Sequence, residues 1–206
     1  MGPRVVLATR NQHKVTEIRR ILERAGAPVD LLPVSEFEGV EDIPETGLTF
    51  AENALLKAHA VAAATGLPVI ADDSGISVDA LNGMPGVFSA RWSGRHGDDA
   101  ANLRLLLAQL AEVPESRRGA SFVCVAALAR PDGREVVEEG RVIGKIIREP
   151  RGTGGFGYDP IFVPTGESRT TAEMPPAEKD AVSHRGRAFT ALARHLRGLD
   201  SPARPT

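Results

Sequence analysis

An α/β fold, with a mixed β-sheet flanked by helices, is predicted by three features of this 206-residue chain. Short β-branched apolar runs alternate with helical spacing in the first half. The segment PDGR at 131–134 joins two long runs as a hairpin would, and a single apolar stripe marks a helix near the end. A composition of 42% hydrophobic and 25% charged residues fits one globular domain, or two lobes sharing a core. No internal repeat or long linker interrupts the chain. Residues 1–199 are therefore expected to form a single unit, and 200–206 (DSPARPT) a flexible tail.

Each element has its own signal. Residues 4–8 (RVVLA) read as a strand, and the spacing Val15, Ile18, Ile21, Leu22, Ala25 as a helix stopped by Gly26. VDLLPV at 29–34 reads as a second strand. An acidic loop follows, and then Thr49 with Glu52 forms a capping box that opens a helix through Ala64, ended by Gly66 and Pro68. VIA at 69–71 reads as a buried strand running into a turn at Asp72, Asp73, Ser74 and Gly75. A helix fits Asp98 to Ala111, and the runs 120–130 and 134–148 flank the hairpin turn. Ser183 is placed to cap a last helix whose Phe189, Leu192, Leu196 and Leu199 share a face.

Charge and cysteine content narrow the function. The 25 basic and 27 acidic residues nearly cancel, so no global field draws the chain to nucleic acid or an anionic membrane. Any polyanion it binds is expected to be small. The lone Cys124 excludes an internal disulfide and a cysteine zinc cluster, and it lies in an apolar run, FVCVAALA. No apolar run approaches the roughly 18 residues of a membrane span, and the N-terminal run is too short for a signal segment. A cytoplasmic protein is expected.

Candidate chemistry sits at the junctions. TRNQHK at 9–14 lies at a strand end and helix start, where free amides and the helix dipole favour an anion, although Asn11 could equally be an ordinary N-cap with Lys14 solvated. Two adjacent carboxylates after a buried strand, Asp72 and Asp73, are costly without a positive partner. With no cysteine or histidine cluster, a hard cation such as magnesium is the economical answer, and a plain Asx-turn the alternative. In the acidic loop only Glu45 is a candidate second ligand. Asn53 and Lys57, four apart, share a helix face. GTGGFGYDP at 152–160 combines close-approach glycines with flat rings and Asp159. This suits a nucleobase, or equally a tight turn packed on the core. Lys179, His184 and Arg185 could donate to a phosphate or a purine carbonyl oxygen, or form a solvated basic face. His13, His59, His96 and His195 show no ligand spacing.

TRNQHK, ETGLTFAENALLKA, ADDSG, PGVFSARWSG, GTGGFGYDPIF and EKDAVSHRGRA together resemble the inosine triphosphate pyrophosphatase family over residues 4–199. The resemblance implies an elongated α/β fold of two lobes with the active site in the cleft between them, a homodimer and magnesium dependence. It also implies hydrolysis of dITP, ITP and XTP to monophosphate and pyrophosphate. Carried over residue by residue, Thr9, Arg10, Asn11, Gln12, His13 and Lys14 match the triphosphate-binding segment. Asp73 matches the catalytic proton acceptor and magnesium ligand, and Glu45 a metal-associated carboxylate. Ser74 matches a substrate contact and Lys57 a lysine of the active-site helix. Phe156, Gly157, Tyr158, Asp159, Lys179, His184 and Arg185 match base-recognition positions. One departure is RVIGKII at 141–147, where bacterial relatives often read WPGxI.

The chemistry implied is attack of water on the α-phosphorus with pyrophosphate leaving. Asp73 would take the proton, and magnesium, Lys14 and Lys57 would offset phosphate charge. Pyrimidine-directed or septum-inhibitor-like hydrolases are the nearest alternative, and a non-catalytic nucleotide sensor is a different class altogether. The irregular apolar segment MPGVFSARWSG at 84–94 is a candidate contact surface for a dimer.

Overall fold

The computed structural model describes residues 2–27 and 29–199; the tail expected at 200–206 lies outside them. Strand β1 (Arg4–Leu7) is followed by helix α1 (Gln12–Arg24) and strand β2 (Asp30–Pro33). Helix α2 (Phe50–Thr65) and strand β3 (Val69–Val78) come next, then helix α3 (Asp99–Gln109). Strands β4 (Gly119–Ala129) and β5 (Glu135–Ile146) form the long pair on either side of the 131–134 turn. Strand β6 (Phe162–Pro164) and helices α4 (Pro176–Val182) and α5 (His184–Leu196) complete the chain. The six strands form one sheet in the order β2-β1-β3-β4-β5-β6. β1 lies parallel to both neighbours, with Val6 opposite Leu32 and Val69, while β5 and β6 are antiparallel, with Lys145 opposite Val163. The sheet is therefore mixed, as the alternating early elements and the later hairpin predict.

The described chain falls into two compact units. One lies within residues 1–73, 125–139 and 185–206, the other within 74–124 and 140–184. In the first, β1 is buried along Val5, Val6 and Leu7, as a strand covered on both faces must be. Helix α2 lays Ala54, Ala58, Val61 and Ala62 against Val6, Ala8, Val69, Ala71, Val125, Ala127 and Ala129. Alanines on that face let the helix backbone approach the sheet closely. The α5 stripe of Phe189, Leu192 and Leu196 is fully buried. In the second unit, Ile76, Leu106, Leu110, Phe122, Ile146, Tyr158, Ile161 and Phe162 share one core, with Phe122 edge-on to Phe162 at 4.7 Å between ring centres.

Helix boundaries follow their caps. Asn11 Oδ1 accepts from the amides of His13 and Lys14 at 3.0 and 3.2 Å. Thr49 and Glu52 close a reciprocal capping box on α2, and Gly66 ends that helix at φ +67°, a conformation that favours glycine. Two expectations change. β3 does not stop at Ala71 but continues through Asp72–Gly75 to Val78, so the paired aspartates belong to a strand rather than a turn. The Ser183 amide closes α4 by donating to the Lys179 carbonyl at 2.8 Å, and α5 begins directly after Ser183, at the position expected of its N-cap. The 84–94 segment contains a short 3-10 helix, Gly86–Arg91. At the divergent 141–147 stretch β5 runs unbroken to Ile146, and Gly144 leaves room for Phe162, whose Cζ would lie 2.6 Å from an added Cβ.

Candidate active site

Period-two alternation along β3 sends Asp72 and Asp73 to opposite faces of the sheet, and each finds a different set of partners within the first unit. Asp72 Oδ2 receives the ammonium of Lys14 at 3.0 Å and Nη2 of Arg185 at 3.4 Å. Nη1 of Arg185 donates to Glu17 Oε2 at 2.7 Å. Lys14 and Glu17 are three apart on α1, so this buried alternation of charges begins and ends on the same helix. Burial by itself would raise the Asp72 carboxyl. The cations Lys14, Arg185 and Lys57 outweigh it and hold the group well below the usual carboxylate range.

Asp73 faces a more open cluster. Its Oδ2 accepts from Nδ2 of Asn53 at 2.9 Å, and Lys57 Nζ donates to Glu45 Oε1 at 2.6 Å. Burial is the main cause that lifts the Asp73 carboxyl above its ordinary value. The charge of Glu45 adds to it, and Lys57, Lys14 and the Asn53 hydrogen bond oppose it. Burial would lower Lys57, but the charges of Asp73, Glu45 and Asp72 more than compensate and keep its ammonium protonated above the ordinary range. Among the described residues no group of three or more His, Cys, Asp or Glu is arranged to hold a metal ion. The donors that fit one are the Asp73 and Glu45 carboxylates. Burial first, with the Glu45 charge adding to it, raises Asp73, and an oxygen-only pair of that kind suits a hard cation that completes its shell elsewhere.

The TRNQHK segment is more self-contained than an anion site alone would require. Asn11 takes the His13 and Lys14 amides as an ordinary N-cap, and Thr9 Oγ1 accepts from the Asn11 amide at 3.2 Å. Arg10 turns to Asp42, with Nε 2.7 Å from Oδ1. Gln12 and His13 open the exposed first turn of α1, and Lys14 reaches Asp72. Ser74 follows Asp73 on β3, half-buried.

In the second unit Asp159 is the hub of the predicted base-recognition residues. Its Oδ2 accepts from Lys179 Nζ at 2.6 Å and from the Phe156 amide at 2.8 Å, and its Oδ1 accepts from Thr171 Oγ1 at 2.8 Å. The Lys179 ammonium stands 5.1 Å from the Phe156 ring centre. The Gly157 amide donates to Asp99 Oδ2 at 2.9 Å. Close packing accounts for part of the glycine run, because a Cβ at Gly154 would lie 2.8 Å from the Ala172 carbonyl oxygen. Tyr158, offered as an alternative stacking surface, belongs to the core instead. Its ring is buried and its hydroxyl donates to the Ser89 carbonyl at 2.9 Å, while burial and Asp99 push its ionisation far up. The buried His184 ring stacks on Phe122, 4.7 Å between centres and 9° from parallel. The Arg185 guanidinium, which the sequence offers as a donor to a phosphate or a purine carbonyl oxygen, is engaged by Glu17 and Asp72 in the first unit.

Sequence reasoning did not single out Glu17, Thr171 or Phe122. Glu17 had a signal, an acidic residue bordering the Val15, Ile18, Ile21 stripe, whereas Thr171 and Phe122 had none apart from their neighbours in space.

Known proteins resemble the chain in sequence and in fold. The Ham1 family model matches residues 5–195. A Streptomyces coelicolor protein named dITP/XTP pyrophosphatase is 61% identical over 196 residues, covering 95% of this chain and 98% of its own length. A Mycobacterium abscessus crystal structure described as a nucleoside-triphosphatase / dITP/XTP pyrophosphatase is 58% identical. It covers 92% of this chain and 98% of its own, with a TM-score of 0.76. The structure of a HAM1 protein from Coxiella burnetii is 44% identical, covers 94% and 98%, and superposes with a TM-score of 0.85. With a family model spanning nearly its whole length and relatives this similar, the chain belongs to the Ham1 family.

Proposed function

We propose that this chain hydrolyses the non-standard purine nucleoside triphosphates dITP, ITP and XTP to monophosphate and pyrophosphate, keeping them out of DNA and RNA synthesis. The observation that carries the reading is the environment of Asp73. This carboxylate is made more basic by burial and by Glu45, is held by Asn53, and has a lysine beside its carboxylate neighbour. Relatives named dITP/XTP pyrophosphatase support the choice of substrate. Asp73 takes the proton from a water that attacks the α-phosphorus, and a raised pKa makes it a better acceptor. Lys57 and Lys14 supply positive charge to the phosphates, which phosphoryl transfer needs more than a covalent nucleophile. Magnesium, held by Asp73 and Glu45, would supply further charge neutralisation at the phosphates.

Base choice is assigned to Phe156, Asp159, Lys179 and His184. The donors among them, Lys179 and His184, suit the 6-oxygen of hypoxanthine and xanthine, whereas the 6-amino group of adenine would leave them unpaired. Arg185 is assigned to holding Asp72. The chain is read as cytoplasmic and homodimeric; among the described residues no helix is long and apolar enough to cross a membrane. Pyrophosphate release from a panel of nucleoside triphosphates with magnesium tests the reading. dITP, ITP and XTP should be turned over at least a hundredfold faster than ATP or the pyrimidine triphosphates, a ratio within reach of buried polar discrimination, about 10²–10⁵. Preference for a pyrimidine, or binding without release, overturns it.

A further inference from the structure

Asn53 joins the loop that carries Glu45 to the strand that carries Asp73, and its amide is engaged at both ends. Its Oδ1 accepts from the Gly47 amide at 2.7 Å, and its Nδ2 donates to Asp73 Oδ2 at 2.9 Å. The Gly47 N–H can only donate, so the orientation of the Asn53 amide is determined and its NH2 must face Asp73. The Asn53 side chain has 0% exposure, which strengthens its hydrogen bonds. Gly47 is shaped for this contact, since a Cβ there would lie 2.7 Å from Asn53 Oδ1 and 2.6 Å from Glu52 Cβ. The same loop is tied to α2 at two further points: Glu45 to Lys57 at 2.6 Å, and the Leu48 amide to Glu52 Oε2 at 2.6 Å.

We propose that Asn53 is a positioning residue that sets the separation and orientation of the Glu45 and Asp73 carboxylates for a divalent cation. This rests on the function proposed above. One amide locks Asp73 Oδ2 as a hydrogen-bond acceptor and thereby presents the other oxygen for chemistry. The same amide holds the loop at Gly47, two residues from Glu45. A hard cation of small radius tolerates little error in ligand spacing, so a relaxed loop should cost both affinity and rate.

Mn2+ binding followed by electron paramagnetic resonance, together with dITP turnover, tests this on Asn53→Leu, Gly47→Ala and the double variant. Asn53→Leu is near-isosteric and removes both bonds, while Gly47→Ala keeps Asn53 and crowds its Oδ1. Each single change should weaken Mn2+ affinity and lower kcat, by about 10- to 100-fold for Asn53→Leu, with KM moving much less. The double variant should lose little more than Asn53→Leu alone, because both changes break one link. A solely structural role would lower Tm but leave the Mn2+ affinity of the folded protein unchanged, and that result overturns the proposal. So do additive losses, or a wild type that binds no Mn2+. If Asn53→Leu does not unfold cooperatively, Gly47→Ala decides by its Mn2+ affinity alone. A wild type that binds Mn2+ but leaves dITP intact sinks the proposed function, and the Mn2+ comparison then still decides the role of Asn53.

Discussion

At the scale of single residues, two neighbouring aspartates are shifted in opposite directions by their surroundings. Asp72 is ringed by Lys14, Arg185 and Lys57 and stays ionised, while burial and Glu45 shift Asp73 the other way. Environments that push paired carboxylates apart separate a structural anion from a proton acceptor. Asp73→Asn is expected to lower kcat for dITP by about 10²–10⁴ while nucleotide binding persists, because the amide cannot accept the water's proton. Near-normal pyrophosphate release by that variant would remove Asp73 from its role. Asp72 has a different signature. Its folded-state pKa lies below the unfolded value of about 3.9, so its stabilising contribution is present above that pH and is lost as the pH falls through and below it. Urea titrations of wild type and Asp72→Asn should differ most near neutrality and converge in acid. A gap that widens on acidification would show that the cations around Asp72 do not stabilise its charge.

Among the elements, α2 carries most of what the first unit needs. Its alanine face packs on the sheet, and the flank beside that face carries Asn53 and Lys57, four apart. The start of the helix is stated by its capping box, with the Glu52 amide donating to Thr49 Oγ1 at 3.1 Å and the Thr49 amide to Glu52 Oε2 at 3.1 Å. Thr49→Ala should therefore destabilise the protein by about 1 kcal/mol, within the usual 0.5–2 kcal/mol for losing a cap, as read from urea unfolding. An unchanged midpoint would mean that packing alone fixes this end. β3 shows the opposite lesson. ADDSG looks like a turn because Asp, Ser and Gly favour turns locally, but Ile70, Ala71, Ile76 and Val78 are fully buried on either side, and burial of the whole run overrides that preference. Gly75 makes this possible, since any side chain there would strike Ser89 and the Gly86 carbonyl.

For the whole molecule, metal dependence and assembly are the testable properties. Chelation by EDTA should abolish turnover and added magnesium restore it, since two carboxylates without a cation repel each other and leave the phosphates less neutralised. Activity that survives exhaustive chelation would require chemistry carried by Lys14 and Lys57 alone. Light scattering at micromolar concentration should give the mass of a dimer, twice 21.9 kDa. Phe88 on the 84–94 segment is 43% exposed with Arg91 stacked 5.3 Å from its ring centre, a surface suited to a contact. A monomer mass would count against the homodimer and leave that segment to another role.

The sequence by itself determined most of the elements and their kind, though not β6, α4 or the extension of β3 beyond Ala71. The β-branched runs, the Asn11 and Thr49 caps, the PDGR turn and the α5 stripe are local signals whose physics acts over a few residues, so they could be read without the fold. The motif order also marked out Asp73, Glu45, Lys57, Lys14, Asp159 and Lys179. Only the tertiary structure decided who partners whom. It paired Arg185 with Glu17 from the far end of the chain, turned Tyr158 into the core, stacked His184 on Phe122, and set Asn53 between Gly47 and Asp73. A buried charge or amide takes its role from the groups that replace water around it, and those groups come from segments that the sequence keeps far apart.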